Sequence, residues 1–198
     1  MFIQVIRGNV KDAAAVRAAS DEWDKELKPG AKGYLGSTEG VTDDGKFIAV
    51  VRFESEEAAN ANSARPEQGA WWEKTSKLID GASFYNCPRV ESFMGGGSDD
   101  AGFVQIMSYK PSDVDKLVEM TKQFAELPMD RKDILGGTTA ISTEGTVFDT
   151  NYFTSEAEAR EGEKQEWPAE VQKAMEGFQE ITGDVEWIDL KDPWLYSA

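Results

Sequence analysis

Short apolar runs open two stretches of the chain, Phe2-Ile3-Gln4-Val5-Ile6 and Phe103-Val104-Gln105-Ile106-Met107, and each predicts a strand. Helical spacing follows both. Val16, Ala19, Trp23 and Leu27 share one face, and Val114, Leu117, Val118, Thr121 and Phe124 repeat the pattern, with Pro111-Ser112 as a helix start and Ser112 as its cap. Gly33 to Thr38 and Phe47 to Phe53 then predict a hairpin closed near Asp43-Asp44-Gly45. Its counterpart is Ile134 to Ile141 with Val147 to Phe153, closed near Glu144-Gly145. Ser55 and Ser155 stand where helix N-caps belong, and Ser155 with Glu158 has capping-box spacing. Helix continues from Pro66 and Pro168, since proline is tolerated in a first turn. Trp71, Trp72, Thr75, Leu78 and Ile79 form one apolar face; Val171, Ala174, Met175 and Phe178 form the other. A final strand closes each series.

The order β-α-β-β-α-β therefore occurs twice. Four segment matches in the same order support a duplication: Phe2–Ile6 with Phe103–Met107, Leu35–Thr38 with Leu135–Thr138, Phe53–Glu56 with Phe153–Glu156, and Val90–Phe93 with Val185–Ile188. Gly95-Gly96-Gly97-Ser98-Asp99-Asp100 lies between the copies and is flexible by composition. The expected organisation is a ferredoxin-like repeat over 1–94, a linker over 95–102 and a second repeat over 103–198. One such unit leaves a sheet face uncovered, so the α+β reading is completed by two sheets facing each other as an intrachain barrel, with helices outside. Such a fused pair could be a monomer or a homodimer.

Composition narrows the chemistry. The 198 residues include no His and one Cys, Cys87, which removes His-ligated haem or zinc, a Ser-His-Asp triad, a Cys-His nucleophile and an internal disulfide. A net charge of −16 argues against nucleic acid as a partner. The charge is uneven: 12 basic against 15 acidic residues through Gly97 (−3), and 9 against 22 after it (−13). A neutral or phenolic ligand suits that surface better than an anion. No signal peptide and no apolar run of membrane-spanning length is present, which predicts a cytoplasmic protein with no membrane partner.

A difference between the copies marks a candidate site. In the third strand Phe47, Ala49, Val51 and Phe53 share a face, and the matching face of the second copy is Val147, Asp149, Asn151 and Phe153. A carboxylate and an amide on a face that should be buried require a reason, because a buried unpaired carboxylate costs several kcal/mol or shifts its pKa upward. Asp149 as proton acceptor and Asn151 as holder of a substrate oxygen form the catalytic candidates; a solvated cavity or a basic partner is the plainer account. Candidate substrate-binding residues are Arg52 and Tyr152 on the opposite face, the adjacent Trp71 and Trp72, and Tyr85 at a strand start. Each has a structural alternative: an ion pair for Arg52, core packing for the tryptophans and a satisfied turn for Tyr85. The glycines at 36, 136–137 and 95–97 read as bulges and a linker, and no metal site is expected.

The segment Phe53-Glu54-Ser55-Glu56-Glu57-Ala58-Ala59-Asn60-Ala61-Asn62-Ser63, followed by Trp71-Trp72, resembles the strand-to-helix signature of the antibiotic-biosynthesis monooxygenase family, within the dimeric α+β barrel superfamily. The resemblance implies a pocket between sheet and helices in each unit. It also implies oxidation of electron-rich aromatics by O2 without a cofactor in some members, and haem degradation in others. Where many members carry a histidine on the second helix this chain has Asn62, with Glu161 or a close neighbour in the second copy, which disfavours the haem branch. The expectation is a monooxygenase-like protein that needs no cofactor and acts on a small aromatic or quinol-type molecule. A non-catalytic binder of a hydrophobic or aromatic small molecule, and a stress-related structural domain, are the alternatives.

Overall fold

The computed structural model of the chain describes residues 1–127 and 131–198. They divide into two compact units, residues 1–90 with 192–198, and residues 91–191. The first unit holds β1 (Phe2–Val10), α1 (Ala13–Glu22), β2 (Tyr34–Val41), β3 (Lys46–Phe53), α2 (Glu56–Ser63), α3 (Pro66–Thr75) and β4 (Ile79–Cys87). The strand β5 (Arg89–Phe93) follows, and then β6 (Phe103–Tyr109), α4 (Val114–Glu126), β7 (Ile134–Ile141), β8 (Val147–Phe153), α5 (Glu156–Gly162), α6 (Ala169–Thr182), β9 (Glu186–Leu190) and β10 (Trp194–Ser197). The fold is α+β and ferredoxin-like in each unit. Five-stranded sheets run β10-β2-β3-β1-β4 and β5-β7-β8-β6-β9.

Local chemistry sets the helix starts. Asp12 accepts from Ala15 N at 3.0 Å, Ser55 from Ala58 N at 3.2 Å and Ser155 from Glu158 N at 3.2 Å. The cap of α4 is Asp113, which accepts from Lys116 N at 2.9 Å, rather than Ser112. The hydroxyl of Ser112 instead donates to Ile181 O. Past Glu22, α1 widens into a π-turn at Trp23–Leu27 and ends in a 3-10 turn at Lys28–Gly30. Ile79 opens β4 instead of closing the preceding helix, and Leu78 and Met175, expected inside, are exposed.

The central ladders of the two sheets share one register. Phe2 pairs with Phe53 and Phe103 with Phe153, while β2 and β7 both slip by a residue, between Tyr34 and Gly36 and between Ile134 and Gly136. Gly36 and Gly136 have φ of +120° and +145°, and a Cβ at Gly136 would lie 2.5 Å from Gly96 O. The closing strands differ from the expected correspondence. Tyr85 pairs with Val5 and Ile188 with Ile106, so Val185–Ile188 corresponds to Ala82–Tyr85 rather than to Val90–Phe93. Val90–Phe93 belongs to β5, which pairs beside β7, and the terminal β10 pairs beside β2.

The helix-covered face of the first sheet carries two apolar clusters. One joins Phe2, Ala31, Tyr34, Phe53 and Ala59; the other joins Val16, Phe47, Ala49, Ile79 and Trp194. In the second unit Tyr109, Leu117, Val118, Ile141, Val147 and Ile181 form the main cluster. Burying a side chain of this size stabilises by about 1.5–3 kcal/mol. Among the described residues no helix is long and apolar enough to cross a membrane.

Candidate functional site

The first unit has a partly open cavity of about 80 Å3 between its sheet and its helices. Gln4, Ile6, Ser37, Glu39, Ala49 and Val51 make the floor, and Val16, Ser20, Trp23, Asn62, Trp71 and Trp72 make the roof and walls. The floor residues follow from strand alternation: Ala49 pairs with Ile6 on one side and Glu39 on the other, so all three project to the helix-covered face.

Glu39 is the cavity's carboxylate. Ser20 Oγ, from α1, donates to its Oε2 at 2.6 Å, and Ser37 Oγ, two residues away on the same strand, donates to its Oε1 at 2.8 Å. Tyr34 OH donates in turn to Ser37 Oγ at 3.0 Å. Burial pushes the Glu39 pKa above its ordinary 4.5, the two serine hydroxyls pull it back, and nearby Asp21 and Asp24 add to the rise. Burial likewise raises the phenol of Tyr34 far above its ordinary value, so it remains a donor. The result is a carboxylate held in place at both oxygens, beside aromatic walls, with a raised proton affinity.

The walls are fixed by their own hydrogen bonds. Trp23 Nε1 donates to Gln68 Oε1 at 2.6 Å, and Trp71 Nε1 to Ala19 O at 3.0 Å. The rings of Trp23 and Tyr34 lie 4.9 Å apart, those of Trp71 and Trp72 6.1 Å, and Phe84 meets Trp72 edge-on at 5.1 Å. Asn62 is buried, and its Oδ1 accepts from Arg65 Nη1 at 2.8 Å, which leaves the amide nitrogen as its donor end. Its counterpart in the second unit, counted from the Ser55 and Ser155 caps, is Gly162, the neighbour of Glu161. The Arg131 guanidinium fills the place of a side chain there.

Of the residues singled out from sequence, Trp71 and Trp72 line this cavity. Asp149 and Asn151 lie in the other unit and do not. Asp149 is buried on the helix-covered face, where its Oδ2 accepts from Tyr109 OH while Oδ1 has no hydrogen-bond partner among the described residues. Burial raises its pKa above the ordinary 3.8, with Thr139 and Tyr109 opposing the rise. Asn151 pairs with Gln105 across the ladder and is half-buried. Arg52 is on the other face of the first sheet, donating to Thr38 Oγ1 at 2.9 Å, and Tyr85 shares that face opposite Val5. Tyr152 is fully buried on the corresponding face of the second sheet. Sequence reasoning missed Glu39, Ser20 and Ser37. Ser37 and Glu39 both reach the helix-covered face, but a serine and a glutamate ahead of a hairpin read as solvated until the slip between Tyr34 and Gly36 fixes the phase of the strand.

Among the described residues no cluster of three or more His, Cys, Asp or Glu side chains could hold a metal ion. No family model matches the chain, and no curated protein does. Solved structures do match over nearly its whole length. Two proteins described as putative monooxygenases, from Fusobacterium nucleatum and Lactobacillus acidophilus, superpose with TM-scores of 0.79 and 0.74 at 9% identity. The first alignment covers 99% of this chain and 94% of the other, the second 98% of each. An anthrone oxidase-like protein matches with a TM-score of 0.67 at 8% identity, over 99% of this chain and 90% of that one. The structural neighbours are thus monooxygenase-like proteins of the ferredoxin-like fold, and the likeness is one of fold.

Proposed function

We propose that the chain is a cofactor-independent monooxygenase-like enzyme whose working site is the cavity of the first unit, with Glu39 as the proton acceptor. The observation that carries this reading is the Glu39 carboxylate, held at both oxygens by Ser20 and Ser37 on the floor of an aromatic-walled cavity. A carboxylate with raised proton affinity is closer to a phenol in basicity than an exposed one, which is what proton abstraction at neutral pH needs. The substrate supplies the electrons. Deprotonated at Glu39, an electron-rich phenol with a hydrogen on the ring carbon para to its oxygen adds O2 at that carbon; loss of water from the hydroperoxide then leaves C=O there, a para-quinone. One oxygen atom ends in the product and one in water. Gln4, Asn62 and the tryptophan faces orient the ring.

Cavity size argues for a single ring. A cavity of roughly 150 Å3 accommodates benzene, so one of about 80 Å3 opens modestly for a substituted phenol and must open much further for a tricyclic anthrone. The test is oxygen uptake with a panel of single-ring phenols and hydroquinones and with anthrone. Expected is uptake by the wild type on a single-ring member, lowered about 100-fold or more in Glu39→Gln. Equal rates for the two proteins would remove the assignment. The second reading, a binder without turnover, draws on the cavity alone and predicts saturable binding with no oxygen consumed.

A further inference from the structure

Part of the space that forms the cavity in the first unit is taken in the second by the Tyr109 side chain. Ladder registers equate Glu39 opposite Ala49 with Thr139 opposite Asp149, and Gly8 opposite Phe47 with Tyr109 opposite Val147. The carboxylate has moved one strand across, from β2 to β8, and a glycine has become a tyrosine. The hydroxyls that hold Glu39 have gone at the same time. Ser37 corresponds to Gly137, and Ser20, counted from the Asp12 and Asp113 caps, to Thr121, whose hydroxyl bonds back to Leu117 O at 3.0 Å. Their place beside a buried carboxylate is taken by Tyr109 OH, which donates to Asp149 Oδ2, with the Thr139 hydroxyl next to it. The Tyr109 ring packs with Leu117, Val118, Val147 and Ile181 between sheet and helices, and meets Phe178 edge-on at 5.8 Å.

We infer that the second unit carries the ligand site in self-occupied form: the phenol of Tyr109 is the built-in ligand of Asp149, so that each chain offers one open site and not two. The count of open sites rests on the reading of the Glu39 cavity as a phenol site; the self-occupied site stands on its own geometry. An unused carboxylate in this position would be a liability, since a buried charge without purpose is commonly replaced by an apolar group at no loss of stability. The simultaneous exchange of carboxylate, donor hydroxyls and filler is what conversion from an open to a closed site requires.

The test is calorimetric titration with p-cresol, which is the tyrosine side chain as a free molecule, and with toluene as its counterpart without the hydroxyl. Wild type is expected to bind one p-cresol per chain and Tyr109→Ala two, with at least tenfold preference for p-cresol over toluene at the new site. Adding Asp149→Ala to Tyr109→Ala should return the count to one. In Glu39→Ala/Tyr109→Ala the new site should persist alone. If Tyr109→Ala still binds one, or takes toluene as well as p-cresol, the inference is overturned. If wild type binds none and Tyr109→Ala binds one, the reading of the Glu39 cavity fails while the self-occupied site survives. Should Tyr109→Ala not fold, the melting temperatures of Tyr109→Phe, Asp149→Ala and their double variant decide: non-additive losses support the pair, additive losses overturn it.

Discussion

At the scale of residues, the account turns on how a carboxylate is held. Ser20 and Ser37 each donate to Glu39 and lower a proton affinity that burial raises. Removing either donor in Ser20→Ala or Ser37→Ala should therefore push the Glu39 pKa further up. Because the base works ionised, kcat/KM should rise with pH through that pKa, and both variants should move the rising limb to higher pH. A pH–rate profile checks this; an unmoved limb would separate Glu39 from the proton transfer. Asp149 drew notice in the sequence because it replaces Ala49 between two otherwise similar faces. Glu39 did not, because a glutamate near a hairpin reads as solvated unless the strand's phase is known. The slip between Tyr34 and Gly36 sets that phase, and only the ladder reveals it.

Elements were more legible than their partners. Apolar spacing and turn residues placed the helices, β1 to β3 and β6 to β9, since each β-hairpin closes over a Gly at positive φ and each helix starts at an Asp, Ser or Pro; β5 as a strand apart from β4, and β10, were not among the expected elements. What escaped was non-local pairing. Local pattern cannot say that the last strand of the chain completes the first sheet, where Trp194 pairs with Glu39 across the ladder. Trp194 is buried, its ring lies 6.4 Å from Phe47, and the Arg17 guanidinium sits 5.6 Å above it. Trp194→Ala should cost roughly 3–5 kcal/mol, the usual range for deleting a buried aromatic. Chemical denaturation measures this, and a loss below about 1 kcal/mol would show that β10 is a dispensable edge. Truncation after Lys191 should likewise weaken ligand binding, by freeing the edge of β2 beside Ser37 and Glu39.

For the whole molecule, charge and burial act together on stability. Glu39 and Asp149 both have native pKa values raised by burial above their ordinary 4.5 and 3.8. Such groups contribute stability that is fully present below the ordinary values and is lost as pH rises through the native ones. The net charge of −16 adds self-repulsion in the same direction. Asp133, lowered by Arg131 at 2.5 Å, works the opposite way, and its contribution is lost as pH falls through its native value. Melting temperature should therefore peak in weakly acidic solution and decline toward neutrality, with a shallower decline in Asp149→Asn. An equally steep decline in that variant would mean Asp149 does not titrate against burial.

The most direct test of the central claim is anaerobic calorimetric titration of wild type and Glu39→Ala with a single-ring hydroquinone, which reads binding with turnover prevented. One saturable site per chain in the wild type, lost or weakened at least tenfold in Glu39→Ala, is the predicted result. Absent binding in both proteins, or unchanged affinity without the carboxylate, would contradict the account.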